Sequence, residues 1–235
     1  MKVSVILATY NEAENVRRII PKLAEVLSKY DREIVLVDDS SPDGTAEVAR
    51  RVSIPRRDRV KIIVRQERGL TSAQLRGIRE SSGEIVVIMD ADGQHDPEFV
   101  PQLVDKVLEG YDLAIASRYV KGGSPGGFSG LKRYFYSYIA CLLPRIIFFP
   151  RVRKIKDPMS GFFAARREVI CEKIDPRFPK ILLEILVMCN PKRIIELPYK
   201  FKKRLYGRSK LTFKHVVEYL EQLASLVRRT FFRCR

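Results

Sequence analysis

Ile85-Val86-Val87-Ile88-Met89-Asp90-Ala91-Asp92-Gly93-Gln94-His95-Asp96 is an apolar run that ends in an acidic turn. The apolar residues bounded by turn chemistry read as a buried strand. Alternate residues of an ideal strand share a face, so Asp90 and Asp92 are placed to point the same way where the chain leaves the sheet. Two carboxylates at that point are hard oxygen ligands suited to Mg²⁺ or Mn²⁺. Those ions take one or two carboxylates and complete their shells with phosphate oxygens and water. The run therefore reads as a site for a divalent cation and a diphosphate. A solvated acidic turn capping the next helix is the competing reading, because a lone Asp-x-Asp is short and such turns are common.

Strand and helix patterns alternate on both sides of this run. Val3-Ser4-Val5-Ile6-Leu7-Ala8 reads as a strand, followed by a polar turn and an amphipathic helix over 13–30 with Val16, Ile19, Ile20, Leu23 and Leu27 on one face. Glu33-Ile34-Val35-Leu36-Val37-Asp38 repeats the strand, Ser40-Ser41-Pro42-Asp43-Gly44 is turn chemistry, and a short helix follows over 45–52. Strands over 61–64, 85–89 and 113–116 then alternate with helices over 70–82 and 97–109. Five strands in this alternation predict an α/β fold with a mostly parallel, doubly wound sheet flanked by helices. Ligands of such sheets bind beyond the carboxyl ends of the strands, where Thr9-Tyr10-Asn11-Glu12, Asp38-Asp39 and Asp90-Ala91-Asp92 all fall.

At 235 residues, 46% of them hydrophobic, the chain can bury a sizeable core as one large domain or two small ones. Its 44 Lys and Arg against 28 Asp and Glu leave a net charge of +16, which favours phosphates, nucleic acid or an anionic membrane surface. Cys141, Cys171, Cys189 and Cys234 show neither a C-x-x-C nor a zinc-like spacing, so reduced thiols in a cytosolic setting are expected. No stretch reads as a signal peptide or as a clean 18-residue apolar span.

Beyond residue 117 the pattern changes. Lys121-Gly122-Gly123-Ser124-Pro125-Gly126-Gly127 is long enough for a lid, with a plain surface loop as the alternative. Residues 131–149 mix Lys132, Arg133 and Arg145 with many aromatic and aliphatic side chains and are expected to be broken at Pro144. A second amphipathic stretch, 213–232, carries Arg228 and Arg229 near its end. Both stretches read either as helices lying in a membrane interface or as helices packed on the core. Glu184, inside an apolar helical stretch, is expected either to pair with a basic residue or to lie on an exposed face.

Taken together, Val5-Ile6-Leu7-Ala8-Thr9-Tyr10-Asn11-Glu12, Val35-Leu36-Val37-Asp38-Asp39-Ser40-Ser41-Pro42-Asp43-Gly44-Thr45 and Met89-Asp90-Ala91-Asp92-Gly93-Gln94-His95 resemble glycosyltransferase family 2 with the GT-A fold. Ser117-Arg118-Tyr119, Gly130-Leu131-Lys132-Arg133, Lys156-Asp157-Pro158-Met159-Ser160-Gly161-Phe162 and Tyr206-Gly207-Arg208-Ser209-Lys210-Leu211 are similar to its polyprenyl-phosphate (dolichol-phosphate) mannosyltransferase branch. Ala8 stands where a proline is common, and Gly93, Asp96 and Arg208 also depart from the usual pattern. None of these removes a presumed ligand. The resemblance implies a catalytic domain over 1–211, containing the interfacial stretch 131–149, and a C-terminal amphipathic helix over 212–235.

The resemblance implies that Ala8, Tyr10, Glu12, Val37, Asp39, Asp90, Ala91 and Asp92 hold the nucleotide. It implies that Asp90, Asp92 and Gln94 hold Mg²⁺ or Mn²⁺, and that Arg118, Arg133, Arg204 and Lys210 meet the acceptor phosphate and the diphosphate. Catalysis is then expected of Asp90, Asp92, Gln94 and Arg118. The implied reaction is inverting, metal-dependent transfer of mannose from GDP-mannose to a dolichyl or other polyprenyl phosphate, a step that feeds protein glycosylation. It would take place peripherally at the cytoplasmic face of a membrane, with a membrane-anchoring partner or a transmembrane tail beyond a truncated chain as the means of attachment. A UDP-glucose-dependent polyprenyl-phosphate glucosyltransferase is the main enzymatic alternative. A dinucleotide dehydrogenase would need G-x-G-x-x-G where Thr9-Tyr10-Asn11-Glu12-Ala13-Glu14-Asn15 stands. A non-enzymatic basic module for membranes or nucleic acid leaves the acidic strand ends unexplained, so no nucleic-acid partner is expected.

Overall fold

The computed structural model describes residues 1–52, 59–127, 131–203 and 213–231. Its strands are β1 (Val3–Thr9), β2 (Arg32–Asp38), β3 (Arg59–Val64), β4 (Ile85–Asp90), β5 (Leu113–Ser117), β6 (Phe163–Arg166) and β7 (Ile194–Pro198), in the sheet order β3-β2-β1-β4-β6-β5-β7. The helices are α1 (Ala13–Val26), α2 (Thr45–Arg51), α3 (Leu70–Glu80), α4 (Val100–Leu108), α5 (Leu131–Ile147), α6 (Phe149–Val152), α7 (Ile181–Glu184, continued by a π-helical turn Ile185–Cys189) and α8 (Phe213–Phe231).

The alternation read from the sequence places β1 to β5 correctly, and the sheet adds two strands. β6 is only four residues, Phe-Ala-Ala-Arg, with little β-branched content to announce it, and it runs antiparallel between β4 and β5. β7 ends in Pro198, which suits an edge position, and pairs parallel with β5.

Chain reversal happens at β1. The strands β2 and β3 lie to one side of it and β4 to the other, which makes a topological switch point. Register aligns the ends: Ala8 pairs with Val37 on one side and Asp90 on the other, while Thr9 pairs with Asp38. Alternate residues of these strands feed two cores. Val5, Leu7, Ile34, Leu36, Val87 and Met89 pack with α1 and α4, whereas Ile6, Val35, Val37, Val86 and Ile88 pack with α3, α7 and α8.

The expected break at Pro144 does not occur, since α5 runs through it to Ile147. A proline costs the helix the hydrogen bond to the carbonyl four residues back, here that of Ala140. The Tyr219 hydroxyl of α8 donates to that carbonyl at 2.7 Å, so a neighbouring helix supplies the missing donor. Both α5 and α8 are two-faced. Cys141, Tyr219, Leu223 and Leu226 are buried, while Phe135, Tyr136, Ile146, Val216 and Leu220 are exposed.

Glu184 is fully buried and accepts two hydrogen bonds from Arg229 Nη2, at 2.9 and 2.8 Å, and one from Gln222. Arg229 therefore ties α8 to α7, as a residue of a helix packed on the core. The cysteines also differ from expectation. Cys171 and Cys189 form a disulfide that joins the segment after β6 to the end of the π-helical turn, and Cys141 is a buried free thiol. Cys234 lies outside the described residues.

At the opposite end of the sheet from the switch-point crevice, Glu33 accepts hydrogen bonds from the Ser4 hydroxyl (2.6 Å), the Ser82 amide and Lys2 Nζ (3.2 Å). Burial alone would raise its carboxyl. These donors and the Lys2 charge outweigh burial and hold the pKa at about 2, against an ordinary 4.5. A depressed carboxyl stabilises the fold above its unfolded pKa, and the contribution fades as pH falls from about 4.5 to about 2. Glu33→Gln is expected to lose on the order of 3 kcal/mol at pH 7, with the gap to wild type narrowing as pH drops through that window. Urea denaturation at pH 7 and pH 3 measures both effects, and a pH-independent gap would contradict this assignment.

Candidate active site

The crevice lies where β1, β2 and β4 end. Its first wall is built by loops that satisfy one another's backbone. Asn11 N–H donates to Ser41 Oγ (2.9 Å), Glu12 N–H to Thr45 Oγ1 (3.0 Å) and Ala13 N–H to Asp43 Oδ2 (3.1 Å). Asn11 and Ser40 take left-handed conformations, φ 57° and 52°, that turn the chain out of β1 and β2. Asp38 braces the corner by accepting from Thr9 Oγ1 and the Ser41 amide.

Of the residues expected at the nucleotide, Ala8, Val37 and Asp90 form one row across three strands. Asp39 is held at the rim by a bidentate pair with Arg65 and by the Gly69 amide at 3.0 Å. Arg68 lies over the Tyr10 ring, 4.4 Å from its centroid, and donates to its hydroxyl. The Glu12 carboxylate accepts from Asn15 Nδ2. Arg65 and Arg68 were not singled out from the sequence, where nothing marks them among the other basic residues.

The acidic turn after β4 forms the floor. Asp92 is buried and accepts the Gln94 amide at 3.0 Å. Gln94 Nε2 donates to the Lys202 carbonyl and Lys202 N–H returns a bond to the Gln94 carbonyl, which also accepts from Tyr199 Oη. Fixing the amide nitrogen on Lys202 assigns the other branch of the Gln94 side chain as the oxygen. The Asp90 side chain is 37% exposed at the crevice, and a Cβ on Gly161 would come within 3.2 Å of its Oδ2. A larger residue would crowd the carboxylate. The glycine-rich loop is joined to the same region, with Ser124 N–H donating to the Tyr199 carbonyl and Phe201 N–H to the Ser124 carbonyl.

Two basic residues, Arg118 and Lys180, lie near enough for their charges to act on the same site as these carboxylates. Arg118, at the end of β5, binds the fully buried Asp157 through its backbone N–H (3.0 Å), Nε (2.7 Å) and Nη2 (2.7 Å). Burial would lower the Arg118 pKa, but the Asp157 carboxylate more than offsets it and keeps the guanidinium charged. Asp157 and Lys156 in turn donate their amides to Glu196 of β7. Lys180, ahead of α7, is drawn below the ordinary lysine range by burial and then by Arg118, against the pull of Asp90. Lys180 and Glu196 escaped the sequence reading, since only the tertiary fold brings them here. Arg204 and Lys210 lie outside the described residues, as does the side chain of Arg133.

A mostly parallel seven-stranded sheet flanked by helices is the fold of the GT-A glycosyltransferases. This chain belongs to glycosyl transferase family 2, whose profile matches residues 4–173. A dolichol-phosphate mannosyltransferase of Pyrococcus furiosus is 44% identical over 230 residues, covering 97% of this chain and 64% of the relative. The chain thus spans just under two thirds of that protein. The enzyme of the same name from Saccharomyces cerevisiae is 35% identical, over 95% of this chain and 86% of its own length. Two solved structures share the fold. Glucosyl-3-phosphoglycerate synthase from Mycobacterium tuberculosis, in complex with Mn²⁺, UDP-glucose and glycerol 3-phosphate, has a TM-score of 0.70 at 19% identity, covering 97% and 79% of the two chains. Mannosyl-3-phosphoglycerate synthase from Rubrobacter xylanophilus has a TM-score of 0.71 at 20% identity, covering 97% and 74%.

Removing the carboxylate charge beneath Arg118 would take its ion-pair partner from a largely buried guanidinium. Asp157→Asn is expected to destabilise the protein by about 3–5 kcal/mol. Thermal denaturation at pH 7 checks this, and an unchanged Tm would mean that the Arg118 charge does not depend on Asp157 for its burial.

Proposed function

We propose that the protein transfers mannose from GDP-mannose to a dolichyl or other polyprenyl phosphate, with inversion to the β-linked lipid phosphate sugar. The observation that carries this reading is the Asp90–Asp92–Gln94 turn at the switch point, with Arg118 and Lys180 close enough for their charges to act on the same site. It is supported by two relatives named dolichol-phosphate mannosyltransferase that match nearly the whole chain.

Asp90, Asp92 and Gln94 offer an all-oxygen donor set that fits Mg²⁺ or Mn²⁺. Among the described residues no cluster of three or more His, Cys, Asp or Glu side chains makes a cage of its own, so phosphate oxygens and water would complete the shell. When bound, the cation neutralises charge on the departing diphosphate. Ala8, Tyr10, Glu12, Val37, Asp39 and Ala91 frame the nucleoside.

The acceptor needs no general base. A phosphate monoester has a second pKa of about 6 and is largely ionised at neutral pH. One of its oxygens attacks the anomeric carbon from the side opposite the diphosphate, and the sugar–phosphate C–O bond breaks as the nucleoside diphosphate departs with the electron pair. The requirement is to hold two anions close together, for which guanidinium groups are suited. Asp157 holds the Arg118 guanidinium in place through Nε and Nη2, and this reading assigns Arg118 to the acceptor phosphate. Arg133, Arg204 and Lys210 complete the acceptor site in this reading.

The acceptor keeps its chain in a bilayer. Phe135, Tyr138, Leu142 and Ile146 follow one face of α5 at helical spacing, and Val216, Val217 and Leu220 one face of α8, all exposed. No helix among the described residues is long and apolar enough to cross a membrane. We assign these faces to interfacial docking at the cytoplasmic leaflet, aided by lysine and arginine attraction to anionic lipid.

Transfer of labelled mannose to a short polyprenyl phosphate, run beside UDP-glucose and with or without EDTA, tests the reaction. Wild type is expected to use GDP-mannose with Mn²⁺ or Mg²⁺, and Asp92→Asn to lose at least 100-fold in kcat/KM. Full activity in EDTA, or of the variant, would refute the metal assignment. Cosedimentation with anionic vesicles tests docking. Phe135→Glu combined with Leu220→Glu should move the protein to the supernatant, and retention on vesicles would refute the assigned faces.

A further inference from the structure

His95 follows the floor residues directly, yet the reaction as derived gives it no task. Its imidazole is buried, stacked on Phe162 (4.9 Å between centroids) and flanked edge-on by Tyr199 and Phe201. A phenylalanine or leucine would suit such an aromatic nest better, because a buried polar ring is costly unless its nitrogens are used. Both nitrogens face Asp90. The Asp90 backbone N–H donates to His95 Nδ1 at 2.9 Å, which makes Nδ1 the acceptor and places the ring proton on Nε2. That Nε2 stands 3.9 Å from Asp90 Oδ2, within reach of a small carboxylate rotation or one bridging water. Gly161 closes the corner, since a Cβ there would meet Asp90 Oδ2 at 3.2 Å and His95 Cε1 at 3.4 Å.

We propose that His95 is a positioning residue that braces Asp90 at both backbone and carboxylate, fixing the orientation in which that carboxylate meets the cation and the donor diphosphate. The assignment rests on the metal reading of the Asp90–Asp92–Gln94 floor. His95 is buried behind Asp90 and is assigned no contact with substrate or cation. It acts by removing rotational freedom from Asp90, as the outer partners of metal ligands do, and loss of such a partner typically costs 10–100-fold in metal affinity or activity.

Mn²⁺ binding to the full chain in the presence of GDP, followed by electron paramagnetic resonance, reads this without turnover. His95→Phe keeps the ring in its nest and removes both nitrogens. It is expected to weaken Mn²⁺ binding at least tenfold and to lower kcat more than it raises donor KM, with Tm within a few degrees of wild type. His95→Gln can carry an N–H toward the place of Nε2 and should regain a clear part of the loss, whereas the shorter His95→Asn should not. If His95→Phe fails to fold, the comparison of Gln with Asn gives the same test. Equal Mn²⁺ binding by wild type and His95→Phe, or no difference between Gln and Asn, would overturn the proposal and leave the metal reading intact. Absence of Mn²⁺ binding in wild type would overturn both.

Discussion

Everything in the crevice depends on β1 and β4 lying side by side in a register that ends both strands in one row. Ala8 is paired with Asp90 and with Val37, so the chain leaves three adjacent strands at the same height and the loops beyond them share one space. A slip of one residue would turn the apolar side chains of β4 from one core to the other. Val86 and Ile88 on one side and Val87 and Met89 on the other, all essentially inaccessible, hold that register. The acidic turn is thus positioned by packing on two faces of the sheet.

The reversed strand β6 gives this geometry its second half. By entering between β4 and β5 it carries residues 157–161 across the ends of both strands, with Asp157 beneath Arg118 and Gly161 against Asp90. One short loop therefore sets both the place of Arg118 and the room around the Asp90 carboxylate. Glu196 on the edge strand β7 holds the start of that loop by two amides. The segment after β7 holds the floor through two bonds between Gln94 and Lys202, one from the Gln94 side chain to the Lys202 carbonyl and one from the Lys202 N–H to the Gln94 carbonyl.

Helices α5 and α8 show how one sequence pattern serves two environments. Each buries one face against the core and leaves an apolar face outside, and the two are joined where Tyr219 answers the carbonyl left open by Pro144. Glu184 then fixes α8 from below through Arg229 and Gln222. A buried ion pair of this kind contributes little net stability compared with an apolar replacement, but losing one member is costly, so it fixes where the helix sits.

Local sequence alone determined the five alternating strands, the polar and acidic strand ends, and the amphipathic character of α5 and α8, because hydrophobic period and turn chemistry are properties of neighbouring residues. The family was legible too, since its motifs are contiguous. Only the tertiary structure decided the rest. It brought in β6, whose alanines carry no strand signal, and it carried α5 through Pro144 by means of a hydroxyl from 75 residues further along the chain. It also chose between the readings of Glu184 and Arg229, joined Cys171 to Cys189, and set Asp157 and Lys180 beside Arg118. A charge in a sequence has no partner until the chain has folded, and a side chain's chemistry in this site is set by partners that lie far from it in the sequence.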